Sequence, residues 1–310
     1  MRSIPTYIHL LRSKGLYFCW QELKKALCPI WLTRSRAAIE QIQSERATKY
    51  LWRRYQSLIM QPLSPFVEEP QPQIIWICWL QGREQAPEIV KKCIDSVEHY
   101  AKGYTVRLLT QDTMFNYVSL PEHIIERYRQ GRIPFAHFSD ILRTALLVQH
   151  GGIWVDATVL LTGNIPEYMV SSPLFMYQTS VLQHLPHAAS NWLIASQKGH
   201  PILQRQLDLL CAYWQRERGL RDYFIYHIFL YLLITNNKQA KNLFQEMPYV
   251  ANVNVHLMQK RFDYPYSERL WQNILHSTTV HKLSWKHKPT EANPQTITIY
   301  DFIIHHLHIQ

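Results

Sequence analysis

The stretch from residue 135 to residue 162 constrains this 310-residue chain most, because it places a helix, two glycines and a strand in direct succession. Its sequence is FAHFSDILRTALLVQHGGIWVDATVLLT. Ser139 is a residue type that caps helices, and the apolar residues after it supply an apolar helix face. Gly151 suits the position that follows a helix, where φ is usually positive. The apolar run Ile153-Trp154-Val155 then predicts a short buried strand that ends at Asp156.

Three charged residues of this stretch indicate a binding site. Asp140 and Arg143 are three residues apart and therefore share a helix face near the N-terminal end of the helix. Asp156 ends a strand, and open α/β sheets bind ligands at the carboxyl ends of their strands. A carboxylate there is a hard oxygen ligand suited to Mg²⁺ or Mn²⁺. The structural alternative makes Asp140 a helix-end charge, Arg143 its surface partner and Asp156 a turn former.

A strand, a helix and a second strand precede this stretch. Residues 73–80 (QIIWICWL) form an apolar run that is typical of a buried parallel strand. Pro87 can open a helix, and apolar residues at positions 90, 93, 94 and 97 continue with helical spacing. Residues 104–109 (YTVRLL) alternate as a second strand does. This order predicts a βαβ unit and therefore an α/β fold.

Charge and proline positions predict the domain organisation. Residues 1–70 hold 11 Lys and Arg against 5 Asp and Glu, which is +6 of the formal net charge of +10. Prolines between positions 62 and 72 end any helix there. We predict a basic helical N-terminal segment over residues 1–70, a catalytic domain over residues 71–295 and a C-terminal tail over residues 296–310. Two interpretations of the first segment remain open: ordinary helices packed on the domain, or peripheral contact with an anionic membrane through residues 1–60.

Composition excludes several classes of protein. Apolar residues make up 47% of the chain and charged residues 18%, which excludes general disorder. The five cysteines form no CxxC pair and are odd in number, which argues against a disulfide framework. We therefore expect the protein in a reducing compartment. No apolar run approaches the ~20 residues of a membrane-spanning helix. The basic excess leaves nucleic-acid binding as an alternative, but no zinc-finger, RRM or helix-turn-helix pattern is present, so we predict no nucleic-acid partner.

The order of these pieces resembles a known family. Ser139-Asp140-x-x-Arg143, Gly151-Gly152, Ile153-Trp154-Val155 and Asp156-Ala157-Thr158 follow the SD-x-x-R, GG and D-x-D signature of nucleotide-sugar glycosyltransferases with the A-type, Rossmann-like fold. The ending D-A-T is similar to that of bacterial capsular polysaccharide synthesis proteins. Weaker similarities lie at residues 73–82, 86–88, 93–96, 190–203, 222–227 and 280–286. Thr158 replaces the usual second acid, and a hydroxyl is a poorer metal ligand than a carboxylate.

The resemblance implies a Rossmann-like α/β fold and transfer of a sugar from a nucleotide-diphosphate sugar to a glycan acceptor in surface polysaccharide synthesis. It implies a divalent cation, Mn²⁺ or Mg²⁺, with Asp156, His281 and Thr158 as its ligands. The implied donor-binding residues are Trp76, Gln81, Asp140, Arg143, Asp156, Lys282 and Lys286. The implied acceptor-binding residues are Asn191 and Trp192, and the implied catalytic residues are Asp140, Asn191 and Asp222.

Two further expectations follow from the resemblance. The protein is expected in the cytoplasm, and peripheral contact with the inner face of the bacterial cell membrane stays one of the two open interpretations of its basic first segment. The alternative function is that of a non-catalytic relative, which binds a sugar or nucleotide and acts as a scaffold in polysaccharide assembly. The loss of the second acid at Thr158 favours that alternative.

Overall fold

The computed structural model describes residues 14–20, 22–23, 33–179, 187–287 and 296–309. The strands are β1 (Ile74–Cys78), β2 (Thr105–Leu109), β3 (Gly152–Val155), β4 (Val159–Leu161), β5 (Leu174–Gln178), β6 (Ala189–Ser196) and β7 (Val280–Lys282). Five of them form a mixed sheet in the order β2-β1-β3-β6-β5, and β4 and β7 form a separate two-stranded ribbon. β1 pairs in parallel with β2 and β3, whereas β6 runs antiparallel to β3 and β5.

The helices cover both faces of this sheet. They are α1 (Thr33–Ile59), α2 (Glu88–Tyr100), α3 (Glu122–Arg129), α4 (Phe135–His150), α5 (Pro201–Arg216), α6 (Ile225–Asn236), α7 (Lys238–Gln245), α8 (Leu257–Lys260), α9 (Glu268–Ser277) and α10 (Ile299–His305). Residues 14–20 and 22–23 are also helical. Among the helices that the structure describes, none is both long enough and apolar enough to cross a bilayer.

Burial on both faces explains the continuous apolar run of β1. Successive side chains of a strand point to opposite faces. Trp76 joins the core that α1 and α3 to α7 build on one face, while Ile75 and Ile77 join the core of α2 and α8 to α10 on the other. The predicted α/β, Rossmann-like fold class with an N-terminal helical segment is therefore confirmed.

The helices α1 and α10 pack against this domain. Leu51, Tyr55 and Ile59 of α1 are fully buried in the core that also holds α6. Ile299 and Ile303 of α10 are equally buried, so the segment set apart in sequence as a tail carries a packed helix. The cysteines of the described ranges, at positions 19, 78, 93 and 211, are all free thiols.

The predicted start of α4 is wrong by five residues. The helix begins at Phe135 after Pro134, whose φ of −61° already suits a helix start, and not after Ser139. Ser139 therefore lies inside the helix, where its hydroxyl accepts a hydrogen bond from Arg143 at 2.9 Å. Asp140 is consequently one turn deeper than the first turn predicted for it.

The two glycines at the junction of α4 and β3 let the chain turn from the helix into a strand that pairs with β1. Gly151 and Gly152 have φ values of +69° and +97°. A Cβ on Gly152 would lie 2.5 Å from the carbonyl oxygen of Ile74, and one on Gly151 would lie 2.7 Å from the backbone nitrogen of Lys198. Only glycine fits both the backbone conformation and the space.

We predict that Gly152→Ala lowers the melting temperature more than Gly199→Ala does. Gly199 also has a positive φ, +70°, but no atom lies within 4 Å of the place that a Cβ would take there. The control Gly199→Ala therefore lowers the free energy of unfolding only by the conformational cost of a positive φ, about 1–2 kcal/mol. Gly152→Ala has the same cost and adds a backbone clash of about 1–3 kcal/mol. At roughly 2 °C per kcal/mol, calorimetry should separate the two variants by several degrees. Equal losses would contradict the packing assigned to Gly152.

Candidate active site

The sheet topology brings most of the predicted site residues to one edge. β1 and β3 are parallel, so their carboxyl ends meet there, and the antiparallel β6 begins at the same edge. This edge opens into a cavity of about 740 Å³, the main pocket, which the first two turns of α4 also line. The predicted residues that line the main pocket are Gln81, Asp140, Arg143, Asp156, Thr158, Asn191, Trp192, Lys282 and Lys286.

Arg143 joins the two predicted carboxylates. Its guanidinium nitrogens lie 3.5 Å from Asp140 Oδ1 and 3.3 Å from Asp156 Oδ1. It also donates hydrogen bonds to the backbone and hydroxyl oxygens of Ser139 and to the backbone oxygen of Asn191. The guanidinium carbon lies 5.0 Å from the ring centre of Trp154. Arg143 is therefore a buried cation with a fixed orientation.

Asp156 presents an ionised carboxylate to the main pocket. Its Oδ1 accepts a hydrogen bond of 3.0 Å from the indole N–H of Trp154, and its Oδ2 lies 3.2 Å from Nζ of Lys282. Burial acts to raise the pKa of Asp156, but Arg143 and Lys282 outweigh it and hold that pKa below its usual value. One quarter of the side chain is exposed, so a ligand can reach the carboxylate.

Asp140 is the second carboxylate of the site, and its environment differs. Burial raises the pKa of Asp140 to about 7, against the opposing effects of Arg143 and of the Asn191 amide. That amide donates a hydrogen bond of 2.8 Å to Asp140 Oδ1. Asp140 shares Arg143 with Asp156, which also has Lys282, so Asp140 receives less compensation for its burial. It is therefore a carboxyl group that can change its protonation near neutral pH.

Lys282 reaches the main pocket from β7. The ribbon pairs Lys282 with Val159, which comes three residues after Asp156. Its Nζ donates a hydrogen bond to Thr158 Oγ1 and lies beside Asp156 Oδ2. One ammonium group thus contacts both polar side chains of the Asp156-Ala157-Thr158 motif.

The structure does not bring His281 to Asp156. His281 is the neighbour of Lys282 in β7, and successive strand residues point to opposite faces. It is fully buried outside the main pocket, where its Nε2 lies 3.0 Å from Thr162 Oγ1. Burial lowers the pKa of His281 to about 4. The prediction that His281 is a ligand beside Asp156 therefore does not match this geometry.

Trp76 and Asp222 also lie away from the predicted contacts. Trp76 is buried in the core and donates a hydrogen bond of 3.0 Å to the backbone oxygen of Gly151, so it does not line the main pocket. Asp222 lines a neighbouring cavity, where its carboxylate accepts a hydrogen bond from the backbone N–H of Phe224. The roles predicted for Trp76 in donor binding and for Asp222 in catalysis are therefore not supported by their positions.

The side chains present do not fit a resident divalent cation. Asp156 and Thr158 offer one carboxylate and one hydroxyl oxygen, and the ammonium of Lys282 already contacts both. Within the described ranges, no group of three or more His, Cys, Asp or Glu side chains is placed to hold a metal ion. A protein site for Mg²⁺ or Mn²⁺ needs oxygen ligands that a lysine does not supply.

Aromatic residues that sequence reasoning missed line the main pocket. Trp79 and Trp285 meet edge to face with ring centres 5.8 Å apart, and Tyr223, Phe224 and His227 also line it. The signal for Trp79 was its position just after the last residue of β1, where a side chain reaches the pocket edge. Trp285 gave no such signal, because its place depends on the pairing of β7 with β4.

We predict that Asp140→Asn gains stability relative to the wild type as the pH rises from about 5 to about 8. The folded-state pKa of Asp140 is raised, so the unfolded chain loses this proton first and the wild type loses stability between about pH 4 and 7. The side-chain amide introduced by Asp140→Asn does not titrate, so the variant avoids this loss of stability, which is on the order of 2–4 kcal/mol. Differential scanning calorimetry at both pH values measures it. The control Asp112→Asn removes an exposed carboxylate outside the pocket, and an equal pH-dependent gain there would contradict the assignment.

Comparison with known proteins finds two relatives that are O-glycosyltransferases. The chain is 24% identical over 165 residues to "O-glycosyltransferase braB" of Annulohypoxylon truncatum, and the alignment covers 48% of this chain and 39% of the relative. It is 27% identical over 158 residues to "O-glycosyltransferase PaGT" of Phomopsis amygdali, which covers 45% and 38%. The chain thus spans about two fifths of the length of these relatives.

One solved structure, "PaToxG Glycosyltransferase", aligns with a TM-score of 0.39 at 19% identity and covers 66% of this chain and 85% of its own. The model of the family described as "Capsular polysaccharide synthesis protein" matches residues 29–303, which is most of the chain. This protein therefore belongs to the capsular polysaccharide synthesis protein family.

Proposed function

We propose that this protein is a glycosyltransferase that moves a sugar from a nucleotide-diphosphate sugar to a glycan acceptor. The observation that carries the proposal is the cluster of Asp140, Arg143, Asp156 and Lys282 in one pocket at the carboxyl ends of β1 and β3. Ligands of open α/β sheets bind at this edge. Family membership and the names of the two fungal relatives support the same reaction class.

The cations of the pocket suit the diphosphate end of such a donor. Lys282 and Lys286 both line the main pocket and can donate charge-assisted hydrogen bonds to phosphate oxygens. The adjacent Trp79–Trp285 pair offers flat apolar faces for a nucleobase. The indole N–H of Trp79 is buried and has no acceptor within the described part of the chain. Gln81, which is exposed at the same end of β1, can contact the ribose or base.

The carboxylates suit the sugar. Asp140 and Asp156 can accept hydrogen bonds from sugar hydroxyls, and Asn191 holds Asp140 in position. Trp192 lines the pocket beside them and stacks on Tyr177 with ring centres 5.1 Å apart, so it can offer a fixed aromatic surface to an acceptor sugar. Because the pKa of Asp140 lies near 7, the ionised form that these contacts need is populated at neutral pH and above.

We predict that UDP or GDP, tested in buffer that contains Mg²⁺ and Mn²⁺, raises the melting temperature of the wild type. A nucleotide concentration of 100 times the Kd stabilises the folded protein by about 2.7 kcal/mol, which raises the melting temperature of a chain of this size by roughly 5 °C. Asp156→Ala should lose most of this shift, because it removes the carboxylate that holds Lys282 and faces the ligand. Asp112→Asn should keep it. Equal shifts in wild type and Asp156→Ala would contradict the site.

We further propose that the protein acts in the synthesis of a bacterial surface polysaccharide, in the cytoplasm, and that residues 14–23 contact the anionic inner face of the cell membrane. Leu16, Trp20 and Leu23 lie at helical spacing on one face, and they are 79%, 55% and 40% exposed. Residues 1–36 hold seven Lys and Arg against one Glu, so 7 − 1 = +6 lies in this part of the sequence. An exposed apolar stripe in a part of the sequence rich in Lys and Arg fits an anionic lipid surface.

This segment is attached to the loop that lines the main pocket. The backbone N–H of Leu220 donates to the oxygen of Lys14 at 2.8 Å, and the Lys14 ammonium lies 5.7 Å from the ring centre of Tyr223. Tyr223 lines the main pocket. Membrane contact through residues 14–23 would therefore hold the pocket close to acceptors at the bilayer surface.

We predict that the wild type floats with vesicles containing phosphatidylglycerol, and that Leu16→Glu/Trp20→Glu lowers the bound fraction at least tenfold at an unchanged melting temperature. The matched control Val67→Glu/Tyr249→Glu alters two residues that are 80% and 57% exposed elsewhere, and it should float as the wild type does. Equal loss in both variants would contradict the proposal. A wild-type dimer that only Leu16→Glu/Trp20→Glu dissociates, without vesicle binding, would assign the face to self-association instead.

A further inference from the structure

We propose that Lys282 replaces the divalent cation at this site, so that an ammonium group of the chain itself neutralises the departing nucleoside diphosphate. This inference rests on the proposed function and concerns the same pocket. It differs from the expectation from sequence, in which Mn²⁺ or Mg²⁺ does so. The structure offers three independent observations for it: the position of the ammonium, the missing ligands and the remaining hydrogen-bond donor.

The first observation is the position of Nζ of Lys282. A metal ion bound by the Asp156-Ala157-Thr158 motif would have to contact Asp156 and Thr158 from the pocket side. Lys282 Nζ contacts both of them, at 3.2 Å from Asp156 Oδ2 and as a hydrogen-bond donor to Thr158 Oγ1. A single positive charge thus already lies where the motif could hold a cation.

The second observation is the set of ligands. Thr158 stands where the signature has its second acid, and His281 points away from the pocket toward Thr162. Asp140 is turned toward Arg143 and Asn191. One carboxylate is therefore left for a metal ion, and that carboxylate is already paired with Arg143 and Lys282.

The third observation concerns the donors of the ammonium group. A lysine ammonium carries three N–H donors. Thr158 and Asp156 account for two of them, and the side chain is 17% exposed at the wall of the main pocket. One donor is therefore left for a phosphate oxygen. Lys286 lines the same pocket, so the two lysines together supply the two positive charges of a divalent ion.

The transfer step balances without a metal ion. The bond between the anomeric carbon and the diphosphate oxygen breaks, and its electron pair stays on that oxygen. Lys282 stabilises the charge that develops there. The acceptor hydroxyl oxygen forms the new bond to the anomeric carbon, and its proton goes to the departing diphosphate.

A purely structural role for Lys282 makes a different prediction. If the ammonium only pairs with Asp156, its removal leaves a buried carboxylate with one partner fewer and lowers stability. It would then leave the metal requirement of nucleotide binding unchanged. The dependence of binding on metal ions therefore separates the two roles.

The test measures the affinity of UDP and GDP by calorimetric titration, once with EDTA and once with Mn²⁺. We expect the wild type to bind with a Kd that differs less than threefold between the two buffers. Lys282→Met should weaken binding about 10- to 100-fold in EDTA, and Lys282→Arg, which keeps the charge, should recover much of it. Lys102→Met, an exposed lysine outside the pocket, should bind as the wild type does.

A second variant reverses the proposed replacement. Lys282→Ala/Thr158→Asp restores the second acid and removes the ammonium, so it should bind the nucleotide only with Mn²⁺. Electron paramagnetic resonance of Mn²⁺ should then show one bound ion. Wild-type binding that EDTA abolishes and Mn²⁺ restores would overturn the inference and leave the proposed function intact. Wild-type affinity in Lys282→Met would also overturn it. Binding of neither nucleotide in either buffer would overturn the proposed function together with the inference.

Discussion

The site depends on one buried cation held between two carboxylates. Arg143 contacts Asp140 and Asp156 and fixes its remaining donors on the backbone of Asn191 and on Ser139. Loss of one partner from a buried ion pair costs about 3–5 kcal/mol, because the other charge stays buried and unpaired. Arg143 therefore ties α4, β3 and β6 together at the edge of the sheet where the pocket opens.

The same arrangement gives the two carboxylates different properties. Asp156 has two cations and stays ionised, while Asp140 shares one of them and has its pKa raised to about 7 by burial. Two carboxylates in one pocket can thus take different parts in ligand binding. Trp154 adds to this, because it donates a hydrogen bond to Asp156 and lies under the guanidinium of Arg143.

Local patterns in the sequence were enough for the parallel part of the sheet and for half of the site. The apolar run at β1, the spacing of α2 and the glycine pair before β3 predicted the parallel part of the fold, because each signal is contained in a few neighbouring residues. Asp140, Arg143 and Asp156 belong to the same short stretch, so their convergence was predictable too. The helix start at Phe135 was missed because Ser139 is also a good capping residue.

The site residues that could not be predicted depend on pairing between strands that are far apart in the sequence. Lys282 and His281 are adjacent in sequence, and only the register of β7 against β4 shows which of them faces Asp156. Trp285 likewise lines the pocket only because β7, which precedes it, pairs with β4. Such choices depend on partners far away in the sequence, which no local pattern contains.

The most direct measurement of the central claim is a crystal structure of the protein with a bound nucleoside diphosphate. We expect the diphosphate to lie in the main pocket, with an oxygen within hydrogen-bond distance of Nζ of Lys282 and with the base beside Trp79 and Trp285. A nucleotide bound away from Asp156 and Lys282, or a main pocket that stays empty at saturating nucleotide, would contradict it.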